Sequence, residues 1–204
     1  MSRFRPSIQG GDTCLVESRQ SRQQDIQKAV FSIRDDKAPR PDGYSSLFFK
    51  QAWHIVGEDL SAAVQEFFLS GWLLSQVNHS IIALVSKSTN VSSSSDFRPI
   101  SCCNVIYKVI ANILAGWLAH ALTYIISPMQ NAFLDRFVSL LIQCVSTAFY
   151  PVAVNGDLHG FFLGKSGVRQ GDPLSPYLFI CCMEYFSRML SWPLNRWDFG
   201  FIPN

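Results

Sequence analysis

Hydrophobic positions along the chain change period several times, and each change marks an element. In "DIQKAVFSI", Ile26, Val30 and Ile33 recur at helical spacing. "KAPRPDG" ends that helix, because two prolines and a glycine cannot continue it. A second helix runs through "EDLSAAVQEFFLS", with Leu60, Val64, Phe67 and Phe68 on its apolar side and Gly71 as a C-cap. "SIIALVSK", residues 80–87, is short, β-branched and apolar, and predicts a strand. "STNVSSSSD" is a polar loop, and "FRPIS" resumes extended chain, since a residue before proline avoids the helical region. A helix from Cys103 to about Tyr124 follows, then a shorter helical run, "RFVSLLIQCVSTAF". "VAVNGDLHGFF" reads as a hairpin turning on Asn155-Gly156. The last helix, "SPYLFICCMEYFSRML", has Ser175 as a cap candidate and Pro176 in its first turn. Residues 1–22, rich in Ser, Arg, Gln and Gly, predict a flexible tail.

Composition adds limits. The 204 residues are 48% hydrophobic and 16% charged, enough apolar material for a core, which excludes global disorder. A net charge of +2 is too small to argue for nucleic acid by itself. Six cysteines without a C-x-x-C motif predict reduced, mostly buried thiols, and four scattered histidines lack zinc-site spacing. "ILAGWLAHALTYII" is very apolar but shorter than the roughly 20 residues a membrane span needs, so it predicts a buried helix. The opening residues lack the apolar core of a signal peptide.

Two places carry chemistry. Lys87 ends one strand and Arg98 begins the next extended piece, so a hairpin would turn both cations toward one space, where a triphosphate could be held. Two ordinary surface charges at strand ends would look the same. In "RQGDPLSP", Gly171 permits close backbone approach, Gln170 offers a donor and an acceptor, and Asp172-Pro173 starts a helix. A plain capped loop-to-helix junction reads equally well.

Three stretches, "DDKAPRPDGYSSLFFKQAW", "SDFRPISCCNVIYKVIANILA" and "GVRQGDPLSPYLF", closely resemble reverse transcriptases of non-LTR retrotransposons, especially LINE-like elements of plants. The resemblance runs from about residue 25 onward in the family's order. It implies an α+β, helix-rich partial right-hand polymerase with fingers over 23–134 and part of the palm over 135–204, its palm sheet incomplete. It further implies RNA template, DNA primer, two Mg2+ ions and a nuclear setting. By the same resemblance Lys87 and Arg98 hold the incoming triphosphate, while Gln170, Gly171, Asp172 and Pro173 flank the nascent base pair. Arg40 stands where the family has glycine.

Two-metal transfer needs carboxylates bridging ions about 3.5–4 Å apart. The family's first carboxylate strand is expected between "QNAF" and "VNG", where the chain instead reads "LDRFVSLLIQCVSTAFYPVA". That places a junction near Leu134-Asp135 and leaves no catalytic residue and no metal ligand to assign. The second carboxylate motif is expected after the final helix and is not reached. Asp35-Asp36, the one Asp-Asp pair, reads as helix-end charge. Loss of central strands predicts exposed sheet edges and uncovered apolar helices. The expectation is therefore an inactive reverse-transcriptase fragment with weak or lost nucleic-acid binding and no membrane partner. A non-catalytic nucleic-acid- or protein-binding module derived from the fingers is a second reading. An active polymerase whose coding sequence was wrongly joined at the seam is a third, which transcript sequencing separates from both.

Overall fold

The most apolar stretch of the chain becomes the helix around which others gather. A computed structural model describes residues 23–35, 41–122, 131–165 and 167–194; the N-terminal tail and Arg40 lie outside these. Among the described residues are α1 (Gln23–Ser32), α2 (Ser46–Gln51), α3 (Trp53–Ser70), β1 (Ser80–Ser86) and β2 (Phe97–Cys103). They are followed by α4 (Val105–Leu122), α5 (Asn131–Ser146), β3 (Phe149–Val154), β4 (Asp157–Leu163) and α6 (Ser175–Leu194). The arrangement is α+β: six helices and one four-stranded mixed sheet.

On α4, Val105, Tyr107, Val109, Ile110, Ala111 and Leu114 are buried around most of the circumference, as a helix apolar on all sides requires. α1 packs Ile26, Ala29 and Val30 against it, and α3 brings Leu60, Val64, Phe67 and Phe68. Burying each such side chain contributes about 1.5–3 kcal/mol, before the cost of ordering the chain. No described helix is long and apolar enough to cross a membrane.

The apolar face expected of α3 is the buried one, and Gly71 closes it at φ +70, its N–H donating to Phe67 O. The helix begins at Trp53, five residues before the stretch its periodicity marks. α2 escaped the sequence reading altogether, since six residues hold less than two turns of pattern. Its Lys50 reaches back to the end of α1, donating to Ile33 O at 2.6 Å and pairing with Asp35 at 2.7 Å. The helix-end charge of Asp35 thus has a specific partner, and an orphan carbonyl near the end of α1 is satisfied.

The strand order is β2-β1-β3-β4. β1 pairs antiparallel with β2 and parallel with β3, and β3 pairs antiparallel with β4. One sheet therefore joins the segments 23–134 and 135–204, and α5 runs without interruption past Leu134-Asp135. The β3–β4 turn is the expected Asn155-Gly156 pair, with φ of 53 and 92. A tight hairpin turn of this hand needs positive φ at both positions. A register shift interrupts the hairpin beside Gly160, at φ 56.

Among the places where apolar surface is left open are β4 and α6. Every residue of β4 is exposed, including Phe161, Phe162 and Leu163. On α6, Tyr177, Leu178 and Cys181 pack against the core, while Phe179, Met183, Phe186 and Met189 point outward. Among the described cysteines Cys103 and Cys144 are buried and none is bonded to another, but Cys182 is exposed on that same outer side, against the expectation for a thiol.

Candidate nucleotide-binding site

The segment joining β4 to α6 carries the "GVRQGDP" residues, and its backbone leans on the outer edge of β2. Ser101 N–H donates to Gln170 O at 2.9 Å. Gly171 sits at φ +96, and a side chain there would bring its Cβ to 3.4 Å from Ser101 O. The close approach that glycine permits is thus made by the chain's own strand. Asp172 is buried; its Oδ1 accepts from Leu174 N–H at 2.9 Å and its Oδ2 from the Tyr107 hydroxyl at 2.5 Å. The carboxylate therefore steers the chain into α6 and ties the loop to α4. Ser175, expected to cap α6, instead donates its hydroxyl to Arg169 O at 2.7 Å. Pro173, half-buried, follows in the turn before α6.

Arg169 lies under this loop, only 8% exposed. Its Nε donates to the Tyr150 hydroxyl at 2.8 Å. One terminal nitrogen faces Ser80 Oγ at 3.5 Å and Cys103 Sγ at 4.0 Å. The other donates to Asn78 Oδ1 at 2.5 Å and Cys144 O at 2.9 Å. A guanidinium has five N–H donors, and these are five acceptors. The plane also stacks on Tyr107, 4.4 Å from the ring centroid. Burial alone would lower the pKa of this group. The lining of Tyr107, Cys103, Tyr150 and Asp172 outweighs it, so the net shift is upward and Arg169 stays charged. Asn78, fully buried, donates to Cys144 O and Thr147 Oγ1, so two side chains together cap the carbonyl end of α5. A cation at that end also meets the negative pole of the helix.

Burial governs the neighbours' acidity. It pushes the Cys144 thiol up to about 12 from an ordinary 9.0. Burial, followed by the Asp172 carboxylate, raises the Tyr107 hydroxyl well above its usual range.

Above Arg169 opens a cavity of about 770 Å3. Gln170 and Asp172 line it, with Tyr107, Tyr150, Phe162 and Lys165. Neither Lys87 nor Arg98 does. On β2, Pro99 and Ser101 face the cavity, so Arg98 falls on the opposite face of the sheet. Arg98 is paired with Val85, and Lys87 lies two residues beyond Val85, which puts the two cations on one face together. Both are exposed, and Lys87 Nζ donates to Ser95 O at 2.7 Å across the hairpin loop. The structure thus puts Lys87 and Arg98 on one face of the sheet, and Gln170 and Asp172 at the cavity on the other.

Arg169, Tyr107, Asn78 and Lys165 were not singled out by the sequence. For Arg169 the available signal was its place beside Gln170 in an otherwise specific motif. The described carboxylates at the cavity do not make a set for a pair of magnesium ions. Asp172 is the one acid among the described residues that line the cavity, and both its oxygens already accept protein hydrogen bonds. Among the described residues no group of three or more His, Cys, Asp or Glu is placed to hold a metal. The Asp135 side chain lies outside the described residues, and Asp157 is an exposed first residue of β4.

No protein-family model matches the chain. Over 107 residues, 52% of the chain, it is 25% identical to the Transposon TX1 uncharacterized 149 kDa protein of Xenopus laevis, and the match spans 8% of that protein. Over 34 residues, 17% of the chain, it is 56% identical to an uncharacterized mitochondrial protein of Arabidopsis thaliana, 28% of which is spanned. Part of the chain is thus similar to a transposon protein, and the matches span only a small part of either relative.

Replacing Arg169 with Met should destabilise the fold by about 3–5 kcal/mol, because five acceptors and a helix end lose their partner together. Lys should rescue little, having three donors and no planar fork. Urea denaturation of the purified variants measures both. The Cys144 thiol keeps its proton in the folded chain up to about 12 but loses it near 9.0 once unfolded. Its contribution is intact below pH 9 and is lost as pH rises toward 12. Cys144→Ala should make the fall in stability between pH 9 and 10 shallower, as read from urea midpoints across that range.

Proposed function

We propose that this chain is a fragment of a non-LTR retrotransposon reverse transcriptase that retains the nucleotide side of the polymerase site and does not catalyse transfer. The observation that carries the reading is the "GVRQGDP" loop. It stands third in a series of three family-like motifs, and its Gln170 and Asp172 line a cavity walled by Tyr150 and Phe162. Similarity to a transposon protein over about half the chain supports the same origin.

The silence follows from what lies between α4 and β3. A strand bearing the first metal-binding carboxylate belongs there in the family's order. Here α5 leads straight through Thr147 and Ala148 into β3. Phosphoryl transfer needs metal to activate the attacking hydroxyl and to neutralise charge on the leaving oxygen. Magnesium in turn demands fixed oxygen ligands in near-octahedral geometry. Asp172 alone is one carboxylate where two ions need a bridging set, and each of its oxygens is already held by Tyr107 or by Leu174 N–H.

The purified chain should give no primer extension on an RNA template with either magnesium or manganese. Template-dependent extension that disappears in Asp135→Ala would overturn the proposal and make the seam an active site.

A further inference from the structure

We infer that Lys165 supplies the positive charge that holds the phosphates of a nucleotide in the cavity above Arg169. The inference rests on reading the loop as polymerase-derived. It moves the anion-binding role away from the residues to which the family resemblance assigns it.

The cations near the cavity differ in what they have left to give. Arg169 also lines the cavity, but three of its donors are taken at 2.5–2.9 Å and the other two face Ser80 Oγ at 3.5 Å and Cys103 Sγ at 4.0 Å, so an anion would have to compete with these buried contacts. Arg98 lies on the far face of the sheet. Lys87 shares that far face, with one of its three donors on Ser95 O. Lys165 lines the cavity, is exposed, and has no partner among the described residues.

Its backbone is also held in place. Gly164 N–H donates to Ala148 O at 3.2 Å, at the start of β3. A Cβ on Gly164 would stand 2.8 Å from the Tyr150 ring, so only glycine lets the chain pass this close. Lys165 therefore leaves the sheet directly beside the aromatic wall. In that wall Tyr150 and Phe162 lie 5.7 Å apart between centroids, tilted by 32°.

A ligand that uses both features carries a flat ring and an anionic group. Gln170 adds a donor and an acceptor on the loop side. Volumes of about 300–1,000 Å3 hold small ligands, and 770 Å3 falls inside that range. The one carboxylate among the described residues lining the cavity, Asp172, is buried and turned toward Tyr107 and the loop backbone, whereas Lys165 is the exposed cation of the lining.

Calorimetric titration of the full chain tests this with dGTP, deoxyguanosine and inorganic tripolyphosphate. Wild type should bind dGTP. Lys165→Ala should weaken dGTP and tripolyphosphate about tenfold and leave deoxyguanosine within about twofold, whereas Lys165→Arg should keep dGTP affinity within about threefold. Lys87→Ala and Arg98→Ala should each change dGTP affinity by less than about twofold. Lys165 is exposed, so its variants should keep the wild-type circular dichroism, and a variant that loses it is replaced by Lys165→Gln. The inference is overturned if wild type binds no dGTP at millimolar concentration, or if Lys165→Ala matches wild type. It is equally overturned if Lys87→Ala or Arg98→Ala carries the loss, or if an RNA oligonucleotide binds while dGTP does not. Absence of any dGTP binding would also remove the retained nucleotide side, whereas dGTP binding that Lys165→Ala leaves unchanged overturns this inference alone, and primer extension tests the loss of catalysis separately.

Discussion

Five N–H donors on one buried guanidinium hold the two halves of this chain together. Arg169 reaches the turn before β1 through Asn78, β1 through Ser80, the end of β2 through Cys103, the end of α5 through Cys144 O, and β3 through Tyr150. A sixth element, α4, meets it face to face through Tyr107. A buried charge costs several kcal/mol unless its hydrogen bonds are complete. The position of every partner is therefore constrained by the others, and the loop that follows Arg169 is fixed as a consequence. Gln170, Gly171 and Asp172 are placed by this arrangement before any ligand is considered.

Local features of the fold were legible because their causes are local. Leu60, Val64, Phe67 and Phe68 recur at the helical period, and they form the buried face of α3. Asn155-Gly156 names its own turn, since few residue pairs accept positive φ twice. The Lys87–Arg98 hairpin was legible for the same reason. Its relation to the loop was not, because one residue of register decides which face a strand residue occupies. Arg98 and Ser101 differ by three positions, and that odd number places them on opposite faces. Arg169 was the harder case. Its partners lie between 19 and 91 residues away, and no short-range pattern distinguishes a buried arginine from one that waits for a phosphate.

On the proposed reading, the open apolar surfaces and the lack of a first carboxylate strand have one cause, the loss of central palm strands. An outward stripe of Phe179, Met183, Phe186 and Met189 on a helix that also buries Leu178 is more apolar surface than one packing face needs. β2, the opposite edge, is covered in part where Ser101 meets the Gln170 carbonyl, while β4 has nothing comparable among the described residues. A right-hand polymerase would lay further palm strands over such surfaces. In this chain they stay open, which couples the proposed loss of catalysis to a liability for association.

The central claim is that Arg169 is a saturated clamp and not a ligand-binding cation. Nitrogen-detected NMR of the arginine side chains tests it directly, with the Arg169 signals assigned by their loss in Arg169→Lys. A clamp predicts a slowly exchanging Nε proton, two distinct Nη signals from restricted rotation, and no change in either on addition of dGTP. Averaged, rapidly exchanging Nη signals that sharpen or shift with dGTP would contradict the account, because they would show donors left free for the ligand.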